Sequence, residues 1–168
     1  MLQVVQGRSA LAAGVAMLPL FVPLVVLGPV AGRFAARCGP RVPMLVAAAL
    51  GAPSAAALVF VTPEQGSLLL GTALLGLGCA AGRFTAPVVA AGVQAVPGDR
   101  AGLAAGLITT ARQAGTALGV ALFGAVAGAP ADAAGFTAGL HVVGAIGGAA
   151  WALAFLLSAI GVPPATRR

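Results

Sequence analysis

The stretch ALAAGVAMLPLFVPLVVLGPV, residues Ala10 to Val30, carries no charged side chain from one end to the other. A helix crossing the hydrocarbon core of a bilayer needs about 20 mostly apolar residues, and this run supplies them. It exceeds the roughly 7–15 residues of a signal-peptide core and contains Pro19 and Pro23, so it reads as a span rather than a leader. Working outward, four more such runs follow: about 42–61, 67–96, 101–128 and 136–162. They are separated by Arg37-Cys38-Gly39-Pro40-Arg41, Thr62-Pro63-Glu64-Gln65-Gly66, Pro97-Gly98-Asp99-Arg100 and the segment 129–135, each rich in helix breakers. The expectation is an all-α integral membrane fold, one membrane domain over residues 1–168, with five spanning helices.

Composition agrees. Of 168 residues, 60% are hydrophobic and 7% charged, whereas a soluble domain carries about 25% charged residues. Disordered chains are polar, so disorder is excluded as well. The net charge of +6 comes entirely from Arg, without the aromatic interleaving of a nucleic-acid surface, and no nucleic-acid partner is expected. If five helices alternate, Arg33, Arg37, Arg41, Arg100, Arg167 and Arg168 share one side, and Arg8, Glu64 and Asp132 the other. Short loops rich in Arg stay in the cytoplasm. The predicted topology is a multi-pass plasma-membrane protein with its N-terminus outside and its C-terminus in the cytoplasm.

Cys38 and Cys79 fall at different depths, and two Cys with one His do not make a four-ligand metal centre. No disulfide, metal or other cofactor is expected. The single His and three loop acids also argue against an enzyme, which would need clustered acid–base or nucleophile–base groups.

Two groups of residues resemble a known family. Gly32, Arg37, Gly39 and Arg41 match the Gly-x-x-x-Asp-Arg-x-Gly-Arg-Arg cytoplasmic loop of the major facilitator superfamily. Ala36 replaces its acidic residue, a departure that fits the C-terminal copy of the loop. Leu2-Gln3, Gln6-Gly7, Ser9-Ala10, Ala13-Gly14 and Leu18-Pro19 resemble the fourteen-helix drug:proton antiporters. So do Ala95-Val96-Pro97, Arg100 to Ala104, Gly106-Leu107, Thr110 to Gln113, Gly115 and Ala117 to Ala121. The resemblance implies the C-terminal portion of a multidrug exporter, its last five helices. The partners it implies are the lipid bilayer, a small amphipathic or cationic substrate in an intact relative, and a separate N-terminal half. A lone incomplete half cannot alternate access, so the chain is expected to be transport-incompetent by itself. The alternative is a non-transporting membrane remnant, or a small helical subunit that binds a partner half.

Within the spans, Arg112 lies about 16 Å from the start of its helix, where an Arg costs about 2.5–3.5 kcal/mol against lipid. Thr109, Arg112, Gln113 and Thr116 share one helical face by three- and four-residue spacing. They are the candidates for lining or bracing a substrate cavity. Arg83 is a further candidate, as a substrate or counter-ion site or as a snorkelling or paired side chain. Gln94 is expected at the interface. His141 is read as packed or water-facing rather than as a proton relay. No carboxylate falls inside a span, so proton coupling is expected to sit mainly in the part of the transporter not present. Gly28/Gly32, Gly78/Gly82, Gly102/Gly106, Gly115/Gly119, Gly124/Gly128 and Gly144/Gly148 are each four apart; about half are expected to be genuine packing faces. Pro19, Pro23, Pro53 and Pro87 are expected to kink helices at membrane depth.

Overall fold

The computed structural model describes residues 10–62, 66–126 and 133–163. It contains five long helices: α1 (Ala10–Cys38), α2 (Arg41–Ala56, continued by a 3-10 turn over Ala57–Phe60), α3 (Gly66–Gln94), α4 (Ala101–Val126) and α5 (Ala133–Gly161). These follow the five predicted runs. Four of them are long and apolar enough to cross a membrane: α1, α2 with its 3-10 extension, α3 and α5. The polar centre of α4, from Thr109 to Thr116, keeps it out of that set.

One boundary differs from the expectation. The first apolar run, 10–30, predicts Arg33 and Arg37 in the following loop. The helix instead continues to Cys38, leaving only Gly39 and Pro40 as the link to α2. Apolarity marks how much of a helix lies in lipid, and Arg is a good helix former. What ends α1 is Gly39, whose φ of 81° is the left-handed conformation that closes helices without a Cβ penalty. The prolines stop nothing in the two longest cases: α1 runs through Pro19, Pro23 and Pro29, and α3 through Pro87.

The helices pack by close approach of small residues. A Cβ added to Gly78 would strike the Leu20 carbonyl, and one on Gly82 would lie 2.8 Å from that of Pro23. Gly32 faces the Ala86 methyl group. These contacts advance together along the chain, so α1 and α3 are parallel. On the other side of α2, Gly144 approaches Ala55 and Leu58, and Gly148 approaches Ala52 and Ala56. That register runs backwards, so α2 and α5 are antiparallel. Up-and-down alternation of the helices follows. Lipid supplies no hydrophobic drive between helices, and contact between small residues takes its place.

α3 is the central helix, flanked by α1 and α2, and α5 covers the far side of α2. Alanines make up much of the interior, with Ala31, Ala35, Ala47, Ala48 and Ala80 buried. A cluster of Leu58, Val61, Leu70, Ala73 and Leu74 closes the end remote from Gly39. Large apolar side chains point outward instead, among them Leu11, Val25, Leu103, Leu107, Leu118 and Ile160. In water this arrangement would be untenable, and in a bilayer it is the expected one.

Candidate functional site

The alternation gathers the arginines. α1 ends, α2 begins and α3 ends at the same end of the bundle, which therefore carries Arg33, Arg37, Arg41 and Arg100. Arg41 is the structural member of the loop motif: its Nη2 donates to the Ala159 carbonyl at 2.7 Å. That carbonyl belongs to the last turn of α5, where helix carbonyls have no partner within the helix and a cation is favourable. Arg37 is exposed on the last turn of α1. Gly32 is a helix-packing residue rather than part of a loop, and Gly39 provides the turn. The motif residues thus split between closing helices and fastening them, with Arg37 alone left facing outward.

At the opposite end, His141 Nε2 lies 2.9 Å from the Val61 carbonyl. A carbonyl only accepts, so Nε2 carries the proton in this contact. The bond satisfies backbone left free where the chain leaves the 3-10 turn after α2, consistent with a packed histidine.

α4 carries the predicted cavity residues. It runs antiparallel to α3, with Ile108 seated against Gly92. Between them is a cavity of about 380 Å³, lined by Phe84, Thr85, Val88, Val89, Ile108, Ala111 and Arg112. Arg112 therefore borders a crevice. The structure keeps Thr109, Arg112, Gln113 and Thr116 on α4, and all four are exposed. The two threonines are less available than their position suggests. Thr109 Oγ1 donates to the Ala105 carbonyl and Thr116 Oγ1 to that of Arg112, both at 2.9 Å. Among the described residues, the donors of this face left without a partner are the side chains of Arg112 and Gln113.

No described residue of α4 is buried, and nothing lies within 4 Å of a Cβ built at Gly102, Gly106, Gly115, Gly119 or Gly124. The glycine pairs divide accordingly. Those on α1, α3 and α5 meet neighbouring helices, whereas Gly102/Gly106 and Gly115/Gly119 on α4 meet no described residue; Gly128 lies outside the described residues. Phe84 also links this region to α5: its ring meets Trp151 edge-on, with centroids 5.3 Å apart, and the Trp151 indole covers Gly51 of α2. The sequence reading missed this aromatic brace. Its signal was the lone Trp facing a Gly on another helix, which needs the helix pairing to be seen.

Arg83 lines a second cavity, of about 300 Å³, among α1, α2 and α3. Its other walls are Leu27, Val30, Ala31, Phe34, Val42, Pro43 and Val46, all apolar. The arginines of α3 and α4 thus line different crevices. No group of three or more metal-ligating side chains occurs among the described residues.

These features define a multi-pass α-helical membrane protein with one arginine in each of two crevices between helices and an exposed polar face on α4. Its sequence is similar to drug-export proteins. It is 31% identical over 126 residues to the multidrug resistance protein Stp of Mycobacterium tuberculosis. It is 36% identical over 128 residues to the tetracenomycin C resistance and export protein of Streptomyces glaucescens. The methyl viologen resistance protein SmvA of Salmonella typhimurium is 34% identical over 125 residues. The first two matches cover 74% of this chain and 23% of each relative; this chain spans about a quarter of the proteins it matches. No family model matches it, and no solved structure matches it with significance. Over about three quarters of its length, then, the chain is similar to drug-efflux proteins of the major facilitator type.

Proposed function

We propose that the chain is the C-terminal part of a secondary active transporter that exports amphipathic or cationic organic molecules, and that it does not transport alone. The observation that carries this reading is the state of α4. It combines a polar centre around Arg112 and Gln113 with glycine faces that no described residue covers. A helix of that composition is costly against lipid and well suited to a second helical body. In an intact transporter the two halves rock about a site at the midplane, and the open face of α4 would line that site. Similarity to export proteins over a quarter of their length supports the same reading. The N-terminus lies outside and the C-terminus in the cytoplasm, because the arginine-rich end retains the positive loops.

The test is reconstitution. The chain is expressed with the N-terminal helices of an exporter relative, and efflux of a fluorescent lipophilic cation is followed. Efflux from the pair, and none from the chain alone, is expected. Arg112→Ala in that pair should lower efflux severalfold while leaving membrane insertion intact. Efflux by the chain alone would overturn the reading, and unchanged efflux with Arg112→Ala would remove Arg112 from the cavity.

A further inference from the structure

The crevice containing Arg83 is not needed for the transport reading, and its chemistry is specific. Seven of its eight lining residues are apolar, and the eighth is a half-buried arginine. No hydrogen bond or ion pair engages the Arg83 side chain among the described residues. The one described acid, Asp99, is exposed in the short turn after α3. A guanidinium among apolar walls at membrane depth calls for an anion.

The position of the crevice narrows which anion. Leu27, Val30 and Phe34 lie on one face of α1, and helical spacing continues that face to Arg37 in the last turn. The α1–α3 register sets Gly82 between Leu24 and Gly28, and Gly32 beside Ala86, so Arg83 is level with the turn of α1 around Leu27. Arg37 therefore stands ten residues farther along, about 15 Å at helical rise. Two arginine side chains reaching toward each other span such a gap. Val30, Phe34, Val42 and Val46 beside them are each about half exposed, so the crevice is open along its side.

We propose that this crevice is a binding site for an anionic phospholipid. Its phosphodiester sits between Arg83 and Arg37, and its acyl chains lie along Leu27, Val30 and Val46. Guanidinium groups hold phosphate through paired, charge-assisted hydrogen bonds, and basic pockets between transmembrane helices suit lipid headgroups. The 300 Å³ volume fits a headgroup and the upper part of its chains rather than a whole lipid.

The experiment measures lipid retained by the purified 168-residue chain, extracted from vesicles of equal phosphatidylglycerol and phosphatidylcholine, by native mass spectrometry. Phosphatidylglycerol should be retained in preference. Arg83→Gln should lose about tenfold in that retention, the scale of one charge-assisted contact. Arg100→Gln, which removes the same charge at an exposed turn, should not. Val46→Trp, which fills the crevice and keeps both arginines, should lower retention as well. That second variant, with helicity checked by circular dichroism, separates loss of the site from loss of the fold. Equal retention of the two lipids, or Arg83→Gln and Val46→Trp both binding like the wild type, would overturn the proposal. Displacement of the phospholipid by an equal mole fraction of oleate would assign the site to carboxylates instead.

Discussion

Arg41 and Ala159 stand 118 residues apart in sequence, and a 2.7 Å hydrogen bond joins the side chain of one to the backbone of the other. It fastens the start of α2 to the end of α5. The Arg41 Nε is buried and has no partner among the described residues, so within them the arginine is held through its terminal nitrogen. Arg41→Ala should destabilise the helical bundle by about 1.5–3 kcal/mol, the range for a hydrogen bond to a charged group. Thermal unfolding in detergent, followed by the fluorescence of the single tryptophan, Trp151, measures it. Arg41→Lys should recover part of the loss by keeping a cation near the last carbonyls of α5.

The glycines on α3 and α4 should respond in opposite ways. At Gly82 a Cβ would lie 2.8 Å from the Pro23 carbonyl oxygen, which is backbone and cannot swing aside. Gly82→Val should therefore separate α1 from α3 and cost more than about 2 kcal/mol, on the scale of overpacking a filled interior. Gly115→Ala meets open space, and alanine gains up to about 1 kcal/mol of helix propensity over glycine. In the chain alone this change should be neutral or stabilising. In the reconstituted pair it should impair efflux, if α4 packs against the other half. Unfolding midpoints of the two variants decide the first point, and efflux assays the second.

His141 offers a test of its packing role. If its task is to satisfy the Val61 carbonyl, a glutamine, which also donates an N–H, should substitute for it. Leucine should not, and leaving that carbonyl unpaired should cost about 1–3 kcal/mol. Midpoints for His141→Gln near wild type and for His141→Leu well below it are expected. Equal losses for both would point to a function specific to the imidazole.

Cys38 reports orientation. It is exposed at the arginine-rich end, so a membrane-impermeant maleimide should label it only after cells are permeabilised. Labelling of intact cells would place that end outside. A Cys79→Ser background avoids ambiguity, since Cys79 is only half-buried.

Much of the fold was legible in the sequence because lipid imposes a length and an apolarity on every span. The five helices fall where the apolar runs lie. The end of α1 did not, since Arg33 and Arg37 interrupt hydrophobicity without interrupting helix, and Gly39 sets the stop. The glycine pairs were visible as spacing only. That Gly78 and Gly82 are filled by α1 while Gly115 and Gly119 are bare depends on which helices adjoin, and no spacing carries that information. For the candidate site, the helices that carry Arg112 and Arg83 were readable, while the separate crevice that each borders was not. That Thr109 and Thr116 spend their hydroxyls on their own helix was not, because a threonine in a helix has two choices of χ1.

The polar centre of α4 also bears on how the protein is made. A nascent helix leaves the insertion machinery for lipid according to its own hydrophobicity, and each Arg at its centre weighs against release. α1, α2, α3 and α5 can pass on their own composition. α4 would enter the bilayer only in company, with Arg112 and Gln113 turned toward other protein. The order in which neighbouring helices arrive then becomes part of this helix's biogenesis. If the chain has the partner half proposed above, synthesis without it would show its weakness to cellular quality control at α4 before anywhere else.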